Sequence, residues 1–159
     1  FESSAVGRIF DAAAALVLGR THASFEGQGP MELEQVAVEG CKAIELPLVP
    51  DKIGVLRSDW APLLPALADE TVAIEERAGL FHETMAGALL AQALEARNKR
   101  RIDASGLSGG VFQNRFLTER VVELLSENGL EVRLHEKVPA NDGGLCYGQV
   151  IETLARQNK

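Results

Sequence analysis

Two adjacent glycines in the run LSGGVFQN, at positions 107–114, are the strongest indication of chemistry in this sequence. They follow an apolar segment with strand character and precede a segment with helical periodicity. Glycines let the backbone approach a ligand closely, and the free amides at a helix N-terminus favour an anion. Gly109 and Gly110 therefore form a candidate phosphate-binding loop. A tight strand-to-helix turn without a ligand would use the same two glycines, so the loop alone leaves both interpretations open.

Ser108 in this loop also matches the serine of G-x-S-x-G, the nucleophile elbow of α/β-hydrolases. His135 would then be the base, and the acid would have to come from Glu119, Glu123, Glu127 or Glu131. Those glutamates lie in or near one predicted helix and the strand after it, which is poor geometry for a catalytic triad. A hydrolase of that fold would also need many more strands than this chain offers, so we disfavour the triad.

Three carboxylates lie where they could contact a nucleotide or a cation. Asp142 comes just before the last predicted helix, where it is either an N-cap or a ligand for a hard cation. Asp11 is the only charged residue between Ile9 and Leu18, and it either faces solvent or accepts hydrogen bonds from ribose hydroxyls. Glu26, beside Gly27 in a polar loop, could serve similarly or be a solvated carboxylate.

The spacing of histidines and cysteines gives neither a metal site nor a disulfide framework. His22, His82 and His135 form no H-x-x-x-H or HExxH pattern, and Cys41 and Cys146 form no C-x-x-C. We expect His82 to be packed inside the protein or at an interface. We expect Cys146 to fill the core, and both thiols to be reduced, as is the default in the cytoplasm.

Helical and strand periodicities predict the elements that position these residues. Helices are expected at about 7–18, 30–38, 59–67, 71–98, 112–127 and 143–156, and extended segments at 43–48, 53–57, 102–107 and 130–134. The first two extended segments should form a hairpin, Asp59 should cap the third helix, and Gly79 is a possible break in the fourth. The last helix should have an apolar side, formed by Tyr147, Val150, Ile151 and Leu154. Strand-loop-helix units at the C-terminal end favour a helix-rich α/β fold with a small, partly parallel sheet.

The composition is that of a globular domain with an acidic surface. The chain has 159 residues, 46% hydrophobic and 25% charged, which excludes a disordered tail, a coiled coil or a collagen-like fibre. No apolar run approaches the roughly 18 residues of a membrane helix. The formal charge of -7 argues against a large nucleic-acid footprint, and the one basic cluster, at positions 97–101, falls at the end of a predicted helix. We therefore expect no nucleic-acid partner, no membrane attachment and a cytoplasmic location.

Several short runs occur in an order typical of one family. They are SSAVGRIFDA at positions 3–12, FEG at 25–27 with MELE at 31–34, LSGGVFQNR at 107–115 and NDGG at 141–144. Together they resemble the C-terminal part of the HypF family of hydrogenase-maturation carbamoyltransferases, and the resemblance covers essentially the whole chain. The related O-carbamoyltransferases and tRNA threonylcarbamoyl-transfer enzymes carry looser versions of these motifs.

The resemblance implies an actin-like, Hsp70-like (ASKHA) nucleotide-binding fold with an active site between two lobes. Residues 1–159 would be the C-terminal portion of a Kae1-like carbamoyltransferase domain, without its N-terminal lobe and upstream domains. The family consumes carbamoyl-adenylate, made from carbamoyl phosphate and ATP, and passes the carbamoyl group to the C-terminal cysteine of a HypE-type acceptor protein.

Position by position, the resemblance implies roles for the residues singled out above. Asp11 resembles a ribose-binding aspartate, and Glu26 with Gly27 resembles a loop that contacts the nucleotide. Asp142 resembles an aspartate that binds a divalent metal (Fe, Zn or Mg). The loop that faces the nucleotide is matched by Ser108, Gly109, Gly110 and Asn114.

The sequence departs from the family pattern at the metal site. The family also uses an H-x-x-x-H pair from the preceding lobe, and no such pair occurs here. The chain also begins at Phe1 rather than Met, so we expect a fragment that holds part of the transfer site and is inactive alone. The alternatives are an O-carbamoyltransferase of the same fold, which differs in its acceptor, and a non-catalytic module that docks a partner.

Overall fold

Helices dominate residues 5–157, the part of the chain that this computed structural model describes; the serines at positions 3 and 4 of the first motif lie outside the described residues. The helices in chain order are α1 (Val6–Leu18), α2 (Gln28–Val36), α3 (Leu63–Ala68), α4 (Ile74–Arg100), α5 (Arg115–Glu127) and α6 (Leu145–Gln157). The strands are β1 (Leu48–Pro50), β2 (Leu56–Ser58), β3 (Ala104–Gly106) and β4 (Glu131–Arg133), and 3-10 turns occupy Gly110–Gln113 and Asp142–Gly144.

The long helix α4 lies at the centre of the core, and α1, α2, α3 and α5 pack against it. Phe81 of α4 meets Phe10 of α1 edge to face, with ring centroids 4.7 Å apart. Leu33 from α2, Leu63 from α3 and Leu117 from α5 are buried around this pair. Each fully buried side chain of this size contributes about 1.5–3 kcal/mol of transfer free energy. His82 is also buried in this core, as expected.

Gly79 does not break α4, because the helix continues through it. The reason for glycine at this position is a close approach of the segment that follows α2. A Cβ atom at Gly79 would lie 2.1 Å from the carbonyl oxygen of Val38 and 2.7 Å from Cys41 Sγ. Gly79 thus allows the backbone near Val38 to lie directly on α4.

Two small sheets account for the strands in the described residues. The strands β1 and β2 form the predicted antiparallel hairpin, with Leu48 opposite Ser58, but the first strand begins later than predicted. The strands β3 and β4 pair in parallel, with Ala104 opposite Glu131 and Gly106 opposite Arg133. The parallel pair confirms the predicted α/β fold with a small, partly parallel sheet.

The predicted apolar side of α6 is exposed within residues 5–157. No residue of α6 is buried, and its large apolar side chains are about half exposed: Leu145, Tyr147, Val150, Ile151 and Leu154. The thiol of Cys146 is also exposed, so it does not fill the core. Helical periodicity reports that a helix has an apolar stripe, but it does not report what covers the stripe. No helix within the described residues is long and apolar enough to cross a membrane.

Most helix starts differ from the predictions by two to four residues, and the caps explain three of them. The helix α5 begins at Arg115 rather than near Phe112, because the residues before it form a 3-10 turn capped off by Asn114. Before α6, the side chain of Asn141 accepts a hydrogen bond from the Gly143 amide, so the cap is Asn141 and not Asp142. Before α3, Asp59 accepts from Ala61 and caps a turn that precedes the helix.

Candidate functional site

A cavity of about 330 Å³ lies beside α1, at the loop that leads into α2. Its lining includes Asp11, Glu26 and Gly27, three of the predicted site residues. This volume is at the lower end of the range for small-molecule sites, which is roughly 300–1,000 Å³. The structure therefore brings together an aspartate from the middle of α1 and a carboxylate from the loop that connects α1 to α2.

Charged side chains fix the walls of this cavity. Asp11 pairs with Arg8 one turn earlier in α1 (Oδ2 to Nη1, 3.0 Å), and both remain partly exposed to the cavity and solvent. Arg20 pairs with Glu32 of α2 and donates to the carbonyl of His22 at 3.2 Å. These bonds hold the loop between the two helices against α2, so the cavity has one wall from α1 and one from a tethered loop.

The two helices that carry these walls touch at very small residues. A Cβ atom at Gly29 in α2 would lie 3.0 Å from the Cβ atom of Ala14 in α1. That separation is shorter than ordinary van der Waals contact, so a side chain at position 29 would crowd Ala14. The close packing explains why Gly29 lines the cavity beside Ala14.

A second group of predicted residues meets at the carboxyl end of the parallel strands. Ser108 follows β3 and His135 follows β4, and Ser108 Oγ lies 3.0 Å from His135 Nε2. The amide of Gly109 donates to the carbonyl of Ala140 at 2.7 Å, and Gly109 has a φ of 114°, a conformation that favours glycine. These contacts place the Ser108–Gly110 loop beside the loop that leads to Asp142. The 3-10 turn after Gly109 also packs against α1.

Asn114 lies inside the protein, although the sequence placed it in the loop that faces a ligand. Its Oδ1 atom accepts from the Leu117 amide at 2.7 Å, and its Nδ2 atom lies 3.0 Å from His82 Nε2. His82 Nδ1 lies 2.8 Å from the Ala78 carbonyl oxygen. Burial lowers the pKa of His82 below its ordinary value, so we assign a neutral ring that donates from Nδ1 and accepts at Nε2. The Asn114 side chain is therefore committed to these internal bonds.

Glu34 caps α5 from another helix, a role that the sequence analysis did not predict. Its Oε1 atom accepts from the backbone amides of Arg115 at 2.6 Å and Phe116 at 3.1 Å. Together with Asn114, which accepts from the Leu117 and Thr118 amides, it satisfies the first four amides of α5. An anion does lie at this helix N-terminus, but it is a carboxylate of the protein. The only sequence signal for Glu34 was its place in the MELE run of the family motif.

Asp142 lies exposed in the 3-10 turn before α6. Within residues 5–157, no group of three His, Cys, Asp or Glu side chains could hold a metal ion. The described residues therefore do not form a metal site by themselves, and Asp142 offers at most one ligand to a site completed from elsewhere. Metal ligation by Asp142 stays a prediction.

A family model, curated sequences and a solved structure all match this chain to the same family. Residues 1–149 match the family model "Carbamoyltransferase, Kae1-like Domain, second subdomain". The chain is 34% identical to the carbamoyltransferase HypF of Rhodobacter capsulatus over 97% of this chain and 20% of that protein. It is 36% identical to HypF of Rhizobium leguminosarum bv. viciae over 92% of this chain and 19% of that protein. A crystal structure of full-length HypF in its phosphate- and nucleotide-bound form superposes with a TM-score of 0.83 at 35% identity, covering 92% of this chain and 20% of that one.

Proposed function

The chain belongs to the HypF family of carbamoyltransferases, within which it corresponds to the second subdomain of the Kae1-like domain, and on that premise we propose that it forms the nucleotide-facing part of a carbamoyl-transfer site. It spans about one fifth of the length of the curated relatives it matches. The activity, substrates and partners of the whole protein are therefore proposals for this chain.

One observation carries the proposal. Asp11, Glu26 and Gly27 line a single cavity, and α1, which carries Asp11, also packs against the turn that follows Gly109. The similar full-length HypF was crystallised with nucleotide and phosphate. An Asp11 carboxylate in a cavity of this kind can accept hydrogen bonds from the two hydroxyls of a ribose, and Glu26 can accept from a further donor of the same nucleotide.

The substrate we propose is carbamoyl-adenylate, made elsewhere in the protein from carbamoyl phosphate and ATP. The acceptor is the C-terminal cysteine of a HypE-type protein. In the transfer step the bond between the carbamoyl carbon and the phosphate oxygen breaks, a carbon–sulfur bond forms, AMP leaves, and the thiol proton is released. The described residues contribute to this step by holding the nucleotide half in place, which lowers the entropic cost of bringing the reactants together.

We propose that the remaining lobe of the same polypeptide covers the exposed apolar stripe of α6. Its five large apolar side chains are 48–62% exposed, and monomeric proteins rarely leave a contiguous apolar patch of this kind uncovered. Because the relatives are about five times as long as the matched region, they contain the chain that could cover it. We also propose that the isolated chain is inactive, since Asp142 alone cannot hold a metal, and that the parent protein is cytoplasmic.

Calorimetry with ATP and Mg²⁺ tests the proposed function. The chain assembled with the rest of its parent polypeptide should bind ATP, and Asp11→Ala should weaken the affinity by about tenfold, which corresponds to the loss of about 1.4 kcal/mol. Glu95→Ala is the matched control, because Glu95 pairs with Lys99 at the surface of α4 and does not line the cavity. Absence of ATP binding to the assembled wild-type protein would instead favour the docking module.

A second assay addresses transfer itself. The assembled protein should carbamoylate the acceptor cysteine, and the isolated chain should not. Transfer by the isolated chain would show that residues 1–159 are sufficient. Transfer to a small-molecule hydroxyl in preference to the cysteine would favour an O-carbamoyltransferase of the same fold.

A further inference from the structure

Ser108 and His135, which the sequence pairs only in the disfavoured triad, lie in contact in the structure. The parallel register sets Gly106 opposite Arg133, and the Leu107 amide continues the ladder by donating to the Arg133 carbonyl at 3.0 Å. Ser108 lies two residues after the end of β3, and His135 lies two residues after the end of β4. Parallel strands end at the same edge of a sheet, so two side chains 27 positions apart meet there at 3.0 Å.

Both side chains of the pair are exposed, so packing against neighbouring residues does not fix their orientation. Within residues 5–157, the Oγ–Nε2 contact is the only hydrogen bond of either side chain. A lone exposed serine hydroxyl rotates freely and presents its proton in any direction. The imidazole of His135 removes that freedom, while the amide of Gly109 anchors the loop to Ala140. The result is a hydroxyl with a defined direction on an anchored loop.

A nucleophilic role for Ser108 does not fit this arrangement. In a nucleophile elbow, the amide of the residue after the serine helps to form the oxyanion hole. Here that amide belongs to Gly109, and it donates to the Ala140 carbonyl at 2.7 Å. No carboxylate in the described residues bonds to His135, so the imidazole lacks the third group that orients a catalytic base.

We propose that His135 is a positioning residue, which donates from Nε2 to Ser108 Oγ and so directs the hydroxyl proton of Ser108 toward an anionic oxygen of the nucleotide. The inference rests on the proposed function, because it takes the Ser108–Gly110 loop to face that nucleotide. A hydroxyl has one proton and two acceptor lone pairs. When the imidazole donates to one lone pair, the proton of Ser108 is free for a phosphoryl oxygen. If Ser108 instead donated to His135 Nε2, its proton would not be available to the nucleotide.

The test is a double-mutant cycle on the affinity of the assembled parent protein for ATP with Mg²⁺, measured by calorimetry. His135→Ala and Ser108→Ala should each weaken ATP binding by about 3- to 10-fold, the effect of one hydrogen bond. The double variant should bind no more weakly than either single variant, because His135 acts through Ser108. His135→Gln should restore most of the affinity, since a glutamine amide nitrogen can donate from near the position of Nε2.

A second measurement determines the direction of the Ser108–His135 hydrogen bond without any ligand. The ¹⁵N and ¹H resonances of the His135 ring should show a proton on Nε2 in the wild-type protein, and Ser108→Ala should shift that resonance. A proton on Nδ1 with Nε2 free would overturn the proposal, because Ser108 would then donate to the ring.

Three further outcomes are decisive. If wild-type protein binds ATP and His135→Ala binds it equally well, the inference is wrong while the proposed function stands. If the two single effects multiply in the double variant, His135 does not act through Ser108. If wild-type protein binds no ATP, both the proposed function and this inference fall, and labelling of Ser108 by a fluorophosphonate would replace positioning with nucleophilic chemistry.

Discussion

The carboxylate of Glu34 in α2 accepts a hydrogen bond from the backbone amide of Arg115, the first residue of α5, at a distance of 2.6 Å. The same oxygen also accepts from the Phe116 amide at 3.1 Å. The positive end of the α5 dipole is therefore neutralised by a residue from another helix, 81 positions earlier in the chain. A phosphate could bind there only by displacing Glu34.

We expect Glu34→Ala to destabilise the fold, because it leaves two helix amides without an acceptor. The loss should be about 1–2 kcal/mol in the free energy of unfolding, measured by urea denaturation. Glu34→Gln keeps an acceptor oxygen and removes only the charge, so it should cost less. The control is Glu119→Ala, which breaks an exposed pair with Arg115 and should change stability by less than about 0.5 kcal/mol. Equal losses for Glu34→Ala and Glu119→Ala would contradict the capping role.

The pair formed by His82 and Asn114 predicts a loss of stability on mild acidification. Burial lowers the pKa of His82 in the folded state, and the Ala78 carbonyl and the charges of Glu34 and Glu83 oppose this only in part. The unfolded chain therefore takes up a proton that the folded chain does not. Stability is fully present above the ordinary histidine pKa of about 6.5, and it is lost as the pH falls toward the lower folded-state value.

Denaturation curves between about pH 8 and pH 5 measure this effect, with a slope of up to about 1.4 kcal/mol per pH unit. His82→Gln should flatten the dependence in that window, whatever it does to stability at neutral pH. His22→Gln is the matched control, since His22 is exposed, and it should leave the slope in place. A wild-type protein with the same stability at both ends of the range would show that His82 does not carry this linkage.

Two glycines of α4 should respond to alanine in opposite directions. Gly79→Ala should destabilise the fold by about 2 kcal/mol or more, because its Cβ atom would lie 2.1 Å from the Val38 carbonyl oxygen. Gly87→Ala should stabilise it by up to about 1 kcal/mol, since nothing lies within 4 Å of its added Cβ and alanine is the better helix former. Thermal denaturation of the two variants checks both signs. A neutral Gly79→Ala would mean that the segment near Val38 moves away from α4 at little cost.

The apolar stripe of α6 should bind the remaining lobe of the parent polypeptide. Ile151→Glu places a charge in that stripe and should weaken assembly with the separately produced lobe at least tenfold, measured by calorimetry. Ile53→Glu is the control, because Ile53 is also apolar and 84% exposed but lies in the hairpin turn. If the isolated chain instead forms a dimer that Ile151→Glu dissolves, the stripe is covered by a second copy.

Local signals in the sequence were sufficient for most of the elements. Helical spacing located α1, α4 and α5, and the strand-loop-helix order predicted a small, partly parallel sheet. Asp11, Glu26 and Gly27 belong to short motifs that the resemblance singled out, and they line one cavity; their role at a nucleotide stays a prediction.

The features that the sequence could not show depend on residues far away in the chain. The side-chain amide of Asn114 lies 3.0 Å from Nε2 of His82, 32 positions earlier. The first amides of α5 donate to Glu34, 81 positions before Arg115. The apolar side of α6 is half exposed, and helical periodicity does not show what covers such a side. Type and spacing describe what a side chain can do, but tertiary contact decides which of its options is used.

The contact between Ala14 and Gly29 has a consequence for how this family can change over time. A Cβ atom added at Gly29 would lie 3.0 Å from the Ala14 Cβ atom, so a methyl group there requires either a smaller residue at position 14 or a small outward shift of α2. Moving α2 would widen the cavity that holds Asp11 and Glu26. Positions 14 and 29 should therefore covary in size among homologues, and a family member in which both are larger should accept a bulkier ligand.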